Sequence, residues 1–447
     1  MNSVEKSKIL ANLRQFGFLL WTIFAFTLLI VTKIPFAFSN FWAEDGAFYQ
    51  QALDNSFPKD FFISGGGYVI FISRILSNLV SLGPVEFAPV INALAVIIIL
   101  AFIVQRLFIN LDYLIKSRLY KLIVCLSVIL LPINNVETIA SGTALHFQLL
   151  FVSLVIALSA RQRVLFFKSD ILILSIAILS DPFAVIALIP LILRRKEAFF
   201  AFWKNKLGSA ALLLISVLVQ LIMVAIFRLR GNRELGASHS LIKTSYLFLD
   251  RVIGSTFIPN WGLVTSESFL EGRVTSQLIV RAAFGLFCAS LITVFVLSHF
   301  RKKLAKDELH SKIVVLYLIF LPSMYWFVAG FLFNPEPRYA VFPGLALLLA
   351  VFMLIDHLTC EDISLIKAKE LSYFVLVFVI LIWAMSASPS SRRIDGPSWH
   401  NEMIKARMVC KNSQLDIFSV KILPTDDNWT IDFKCSSISQ NYRKGRF

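Results

Sequence analysis

Residues 171–193 read ILILSIAILSDPFAVIALIPLIL, an apolar run broken once, at Ser180-Asp181-Pro182. One kinked helix would cross a bilayer, since proline is tolerated in membrane helices. The flanks decide otherwise. Arg161, Arg163 and Lys168 precede the run, and Arg194, Arg195, Lys196, Lys204 and Lys206 follow it. Basic loops stay cytoplasmic, so both ends lie on one side. The run is expected to be a hairpin of two short helices with Asp181 at its outer tip. Non-helical backbone at that depth must be buried in protein or line a cavity.

The surrounding chain has the composition of a polytopic membrane protein. Of 447 residues, 57% are hydrophobic and 16% charged, with a mean hydropathy of +0.75. Soluble domains carry about 45–50% and about 25%. Disorder, collagen, coiled coil and a disulfide-dense secreted scaffold are excluded by the same figures. Apolar runs predict an all-α bundle of about nine full spans besides the hairpin. They lie near 14–36, 86–109, 119–133, 143–160, 207–228, 277–299, 312–332, 339–357 and 371–387. The first run is too long for a signal peptide and no cleavage site follows it, so it should remain as an anchor.

Net charge is +15, from 43 Lys and Arg against 28 Asp and Glu. No basic helix is interleaved with stacking aromatics, so nucleic acid is not the expected partner. The cations mark cytoplasmic loops instead. Lys6, Lys8 and Arg14 place the N-terminus inside. Arg106, Lys116, Arg118 and Lys121, then Arg301, Lys302, Lys303, Lys306 and Lys312, then Lys367 and Lys369 mark later inner loops. Loops 37–85, 134–142, 229–276 and 333–338 and the tail from 388 then face outside, as expected of a bacterial inner-membrane protein.

Two outer segments have structure of their own. In 68–82, Ser73, Arg74, Ser77, Asn78 and Ser81 share one helical stripe opposite Ile, Leu, Val and Phe. This pattern fits a helix lying in the membrane interface, preceded by the flexible Gly65-Gly66-Gly67. The chain thus divides into a transmembrane domain, 1–387, and a small α/β extracytoplasmic tail, 388–447. The tail should carry a helix at about 398–409 and two short strands, in QLDIFSVKI and WTIDFKC. Cys410 and Cys435 both fall there and should pair as a disulfide in an oxidising compartment. Cys125, Cys288 and Cys360 sit in or beside spans as small core residues.

Chemistry is concentrated in Phe41-Trp42-Ala43-Glu44-Asp45-Gly46-Ala47-Phe48-Tyr49, just after the first span. Two adjacent carboxylates lie among aromatics at the expected outer face. Partial desolvation makes a carboxylate a better proton acceptor. Four other polar positions share that face: Glu137 and His146 flank the start of a helix, Asp181 marks the hairpin tip, and Glu336 precedes Arg338. An Arg at a helix N-terminus, beside free N–H groups and the positive dipole end, forms an anion site. Phosphate suits its fork geometry.

These features resemble the GT-C superfamily of integral-membrane glycosyltransferases. They are the acidic pair after the first span, the interfacial helix in the first outer loop, the interrupted helix at Ser180-Asp181-Pro182, and a soluble outer portion closing the chain. Within it the WAEDG segment, and a tail running from Gly396-Pro397-Ser398-Trp399 to a Cys pair, look like uncharacterised bacterial polytopic proteins related to surface-polysaccharide glucosyltransferases. The resemblance implies transfer of a sugar from a polyprenyl-phosphate donor to a lipid-linked or surface glycan of the cell envelope. It implies Asp45 or Glu44 as catalytic base and Arg338 as donor-phosphate ligand, with Glu137, His146, Asp181 and Glu336 as substrate-binding candidates. Many relatives place Asp before Glu; here Glu44 comes first, and either acid could take the proton. A divalent metal, Mg or Mn, serves some members, and Glu44, Asp45 and Glu137 are the candidate ligands. Two other readings stay open: a transporter or flippase of lipid-linked saccharides, and a polymerase sharing the outer-face site.

Overall fold

The computed structural model describes residues 17–31, 35–55, 58–63, 67–131, 140–159, 168–194, 207–229, 241–254, 306–332, 337–360, 397–412, 415–423 and 429–436, with isolated positions elsewhere. In chain order the helices are α1 Gly17–Val31, α2 Ala43–Asp54, α3 Phe71–Ser81, α4 Ala88–Leu111, α5 Arg118–Leu130, α6 Leu145–Ser159 and α7 Lys168–Ser180. They continue with α8 Leu188–Arg194, α9 Leu207–Leu229, α10 Leu241–Leu247, α11 Lys306–Leu332, α12 Val341–Cys360 and α13 Trp399–Asn412. Strands β1 Ile417–Lys421 and β2 Thr430–Lys434 follow.

Four stretches are helical, long and apolar enough to cross a bilayer: Val85–Leu111, Gly208–Phe227, Lys312–Gly330 and Arg338–His357. The chain is a membrane protein. Three other expected spans are shorter as described, because α5 has 13 residues and α6 has 15, and α1 covers 17–31. At 1.5 Å per residue such helices reach about 20–22 Å, short of the roughly 30 Å hydrocarbon core. The expected spans 277–299 and 371–387 lie outside the described residues apart from isolated positions. The run at 171–193 is interrupted where its polar break predicts. α7 ends at Ser180, a 3-10 helix covers Pro182–Ala187, and α8 follows.

The described residues fall into two compact units. The first is drawn from Met1–Gln105, Val136–His146 and Pro389–Phe447, the second from Arg106–Asn135 and Phe147–Ser388.

In the first unit, α2 packs on α3 and on β2, and α13 packs on β1. The two strands are antiparallel, pairing Ile417 with Lys434 through Lys421 with Thr430. Their inward positions Val420, Ile431 and Phe433 join Phe41, Tyr49, Trp399 and Met403 in one apolar core. Two short strands alone are marginal in water, so this packing is what holds them. Cys410 and Cys435 are bonded, Cα atoms 5.1 Å apart, closing a separation of 25 residues. In the chain-entropy account such closure stabilises by roughly 3–4 kcal/mol.

α3 is the helix its periodicity predicts, but with its polar stripe turned inward. Ser73, Arg74 and Ser77 are buried, whereas Leu79 and, just past the helix, Leu82 (85% exposed) face outward. Ile72, Leu76 and Val80 are buried as well, so most of the helix surface meets protein.

In the second unit, α7 packs on α9 and α11 on α12. A buried ion pair joins α4 to α7, with the Arg106 Nη2 donating to Asp170 Oδ1 at 2.7 Å. The Asn110 amide donates to the same oxygen and the Ser159 hydroxyl to Asn110. Asp356 of α12 accepts the backbone amides of Lys116 (2.6 Å) and Ser117 (2.9 Å), fixing the turn before α5. Gly330 lies where a Cβ would meet the Thr244 methyl at 2.6 Å, which lets α10 approach α11 closely.

Candidate functional site

The WAEDG segment opens α2. Glu44 and Asp45 both occupy its first turn, where the helix dipole favours negative charge. Their surroundings differ. Glu44 is half-buried. Asp45 is 4% exposed and points into the loop that precedes α6. Its Oδ1 accepts from the Thr143 amide at 2.9 Å and the Ser141 hydroxyl at 3.1 Å. Its Oδ2 accepts from the Gly142 amide at 3.3 Å and the Asn92 side chain at 3.5 Å.

Successive backbone amides facing a carboxylate form an anion nest. Here the nest's occupant is the protein's own Asp45. The loop adopts this shape at a cost. Ala140 has φ of 57°, the left-handed region that costs a residue with a Cβ roughly 1–2 kcal/mol. Such outliers cluster where surrounding structure holds them for function.

His146 belongs to the same constellation. It is the second residue of α6, its Nδ1 2.5 Å from the Thr143 carbonyl, so Thr143 touches Asp45 through its amide and His146 through its carbonyl. Asp181 and Arg338 lie in the second unit. Asp181 is a buried N-cap, accepting the Phe183 amide at 2.8 Å. Arg338 is half-buried in the 3-10 turn Pro337–Ala340 that leads into α12, its guanidinium 5.9 Å from the Tyr339 ring centre. That turn packs on a π-helical turn, Phe248–Gly254, which buries Asp250 and Arg251. Glu137 and Glu336 lie outside the described residues. Among the described residues no three His, Cys, Asp or Glu side chains gather as metal ligands.

Sequence reasoning missed a second buried polar group beside α2. Arg74, 1% exposed, stacks over Phe48 at 4.2 Å and donates from Nη2 to the Ile63 carbonyl at 3.0 Å. Its Nη1 donates to Gln51 of α2. Asp60, fully buried, accepts from Asn78 at 2.5 Å. Burial lowers the Arg74 guanidinium to about 10, with Asp60 opposing the shift. An Arg as the one charged residue of a helix rich in Ile, Leu and Val was the available signal, since such residues turn to protein interior.

On the other side of α2 stands the tail. The Ala43 amide donates to Leu423 at 2.6 Å and the Leu423 amide to Phe41 at 3.2 Å, a parallel bridge of Trp42 with Leu423. The Trp399 amide donates to Ser39 and its indole to Val85, both at 2.8 Å. The Asp432 amide donates to Gln50 at 3.1 Å. Burial in this core pushes the Tyr49 phenol above its ordinary range. No family model, curated protein or solved structure matches the chain.

Proposed function

We propose that this protein is a membrane glycosyltransferase of GT-C type, moving a sugar from a polyprenyl-phosphate donor to a cell-envelope glycan or lipid on the extracytoplasmic face. One observation carries the reading: a carboxylate pair at the start of a helix beside a membrane span, with Asp45 immobilised by four donors and Glu44 next to it and half-buried. An immobilised acid followed by rearrangement-free presentation of its neighbour is preorganisation, the usual requirement of a positioned base.

In this proposal Glu44 deprotonates the acceptor hydroxyl as it attacks the anomeric carbon, and Asp45 positions it. The leaving phosphate departs as a stable anion, so the transfer requires no general acid. Both ends of the 171–193 hairpin and the N-terminus face the cytoplasm of a bacterial inner membrane. The disulfide supports the placement of the tail, and α2 with it, on the oxidising side.

The test is transfer from a defined polyprenyl-phosphate sugar by purified protein in detergent. Loss of sugar–phosphate cleavage in Glu44→Gln supports the mechanism; full activity in both Glu44→Gln and Asp45→Asn sinks it.

A further inference from the structure

The tail and the acidic helix meet at a glycine. A Cβ on Gly46 would lie 2.2 Å from the Ile422 Cδ1 and 3.1 Å from the Ile431 Cδ1. Both isoleucines are fully buried, so neither methyl has free space to swing into. The third letter of EDG therefore serves the contact of α2 with the tail hairpin, as the second serves the contact with Ser141–Thr143.

The hairpin reaches α2 in three ways: Leu423 takes the first amide of the helix, Asp432 donates to Gln50, and Ile422 with Ile431 covers Gly46. On its far side the hairpin rests on α13, which is anchored separately through Trp399 to Ser39 and Val85, and through Arg407 to Glu86. The Cys410–Cys435 bond joins the last turn of α13 to the end of β2. It adds to the main-chain connection of α13 with β1 a second covalent link, from the anchored helix to the far strand of the hairpin that seats α2.

We propose that the tail positions the Glu44–Asp45 pair and that the disulfide latches it, so that the pair is held in place only in oxidised protein. Thiol–disulfide exchange with an external dithiol opens the latch: the dithiol is oxidised to its disulfide, and Cys410 and Cys435 each take up one hydrogen. The inference concerns the geometry of the pair and does not rest on the transferase reading.

Hydrogen exchange of the full-length protein in detergent tests it, read on peptides covering 41–54 and 140–146. Reduction of the folded protein, verified by alkylation of both thiols, is expected to speed exchange in both segments at least tenfold, while α12 stays protected. Cys410→Ser/Cys435→Ser should exchange at the reduced rate and show no further response to reductant. Gly46→Ala should loosen the same segments without reductant, and Gly46→Ala/Ile422→Val, which removes the obstructing Cδ1, should restore them. Unchanged protection on reduction, or a double variant no better than Gly46→Ala, overturns the proposal.

Discussion

The backbone amide of Thr143 donates to the carboxylate of Asp45 at 2.9 Å, across 98 residues of sequence. Adjacent Ser141 and Gly142 complete the contact. The two acids of WAEDG thus face unequal environments.

Asp45→Asn keeps the volume but turns an NH2 group toward donors, leaving at least one buried donor unmatched. Its loss should destabilise the first unit by about 1–3 kcal/mol, read as a lower unfolding midpoint in detergent. Glu44→Gln should leave that midpoint within about 0.5 kcal/mol and lower transfer by about two to four orders of magnitude. Unaltered stability in Asp45→Asn would deny it the positioning role.

Ala140→Gly removes the left-handed penalty of roughly 1–2 kcal/mol and adds roughly 0.4–1 kcal/mol of unfolded-state entropy. The net should be neutral to about 1.5 kcal/mol stabilising. Ala140→Val, β-branched at the same φ, should lower the unfolding midpoint and increase exchange at Gly142 and Thr143. Equal behaviour of the two variants would mean that the loop's shape does not depend on residue 140.

What was legible in the sequence was local. Apolar runs located the long helices, the Ser-Asp-Pro break located the end of α7, and alternation placed both tail strands. The inward face of α3 was not legible, because a hydrophobic stripe reports amphipathicity without saying which side meets protein. Nor was the seat of Asp45. The contacts that define it come from Asn92, Ser141 and Gly142, distant in sequence and carrying no periodic signal. Gly46 carries no signal of its own in the sequence; only the isoleucines of the tail give it a reason.

Arg74 and Asp60 are both buried in the first unit and interact through space. Arg74→Met removes the cation and its bonds to Gln51 and the Ile63 carbonyl, and should cost about 1–3 kcal/mol, read as a lower unfolding midpoint. The pH response follows from the sign of the shift. A cation lowered to about 10 on folding opposes folding in full below that pH and is relieved only as pH rises through 10 toward its unfolded value. From this group the unfolding midpoint should therefore be flat between about pH 6 and 9. A steep slope there that vanishes in Arg74→Met would contradict the assignment.

Sidedness is tested at exposed positions. Asp54 follows the acidic motif and Arg118 opens α5; both are exposed. In intact cells a membrane-impermeant thiol reagent should label Asp54→Cys and spare Arg118→Cys until the membrane is opened. The reverse pattern would invert the topology and move the acidic pair to the cytoplasm.

The bond from Asn40 to the Pro397 carbonyl spans 357 residues. At roughly 5–20 residues per second of synthesis, the acidic helix waits about 20–70 s after its own appearance before the tail that covers it exists. During that interval Phe41, Gly46 and Tyr49 lack the side chains that will cover them. A chain interrupted between His357 and Trp399 carries the whole WAEDG motif and the four long described helices, yet lacks the tail that covers α2. The cover of the acidic helix thus depends on the chain from Pro397 onward, and partial chains leave it bare.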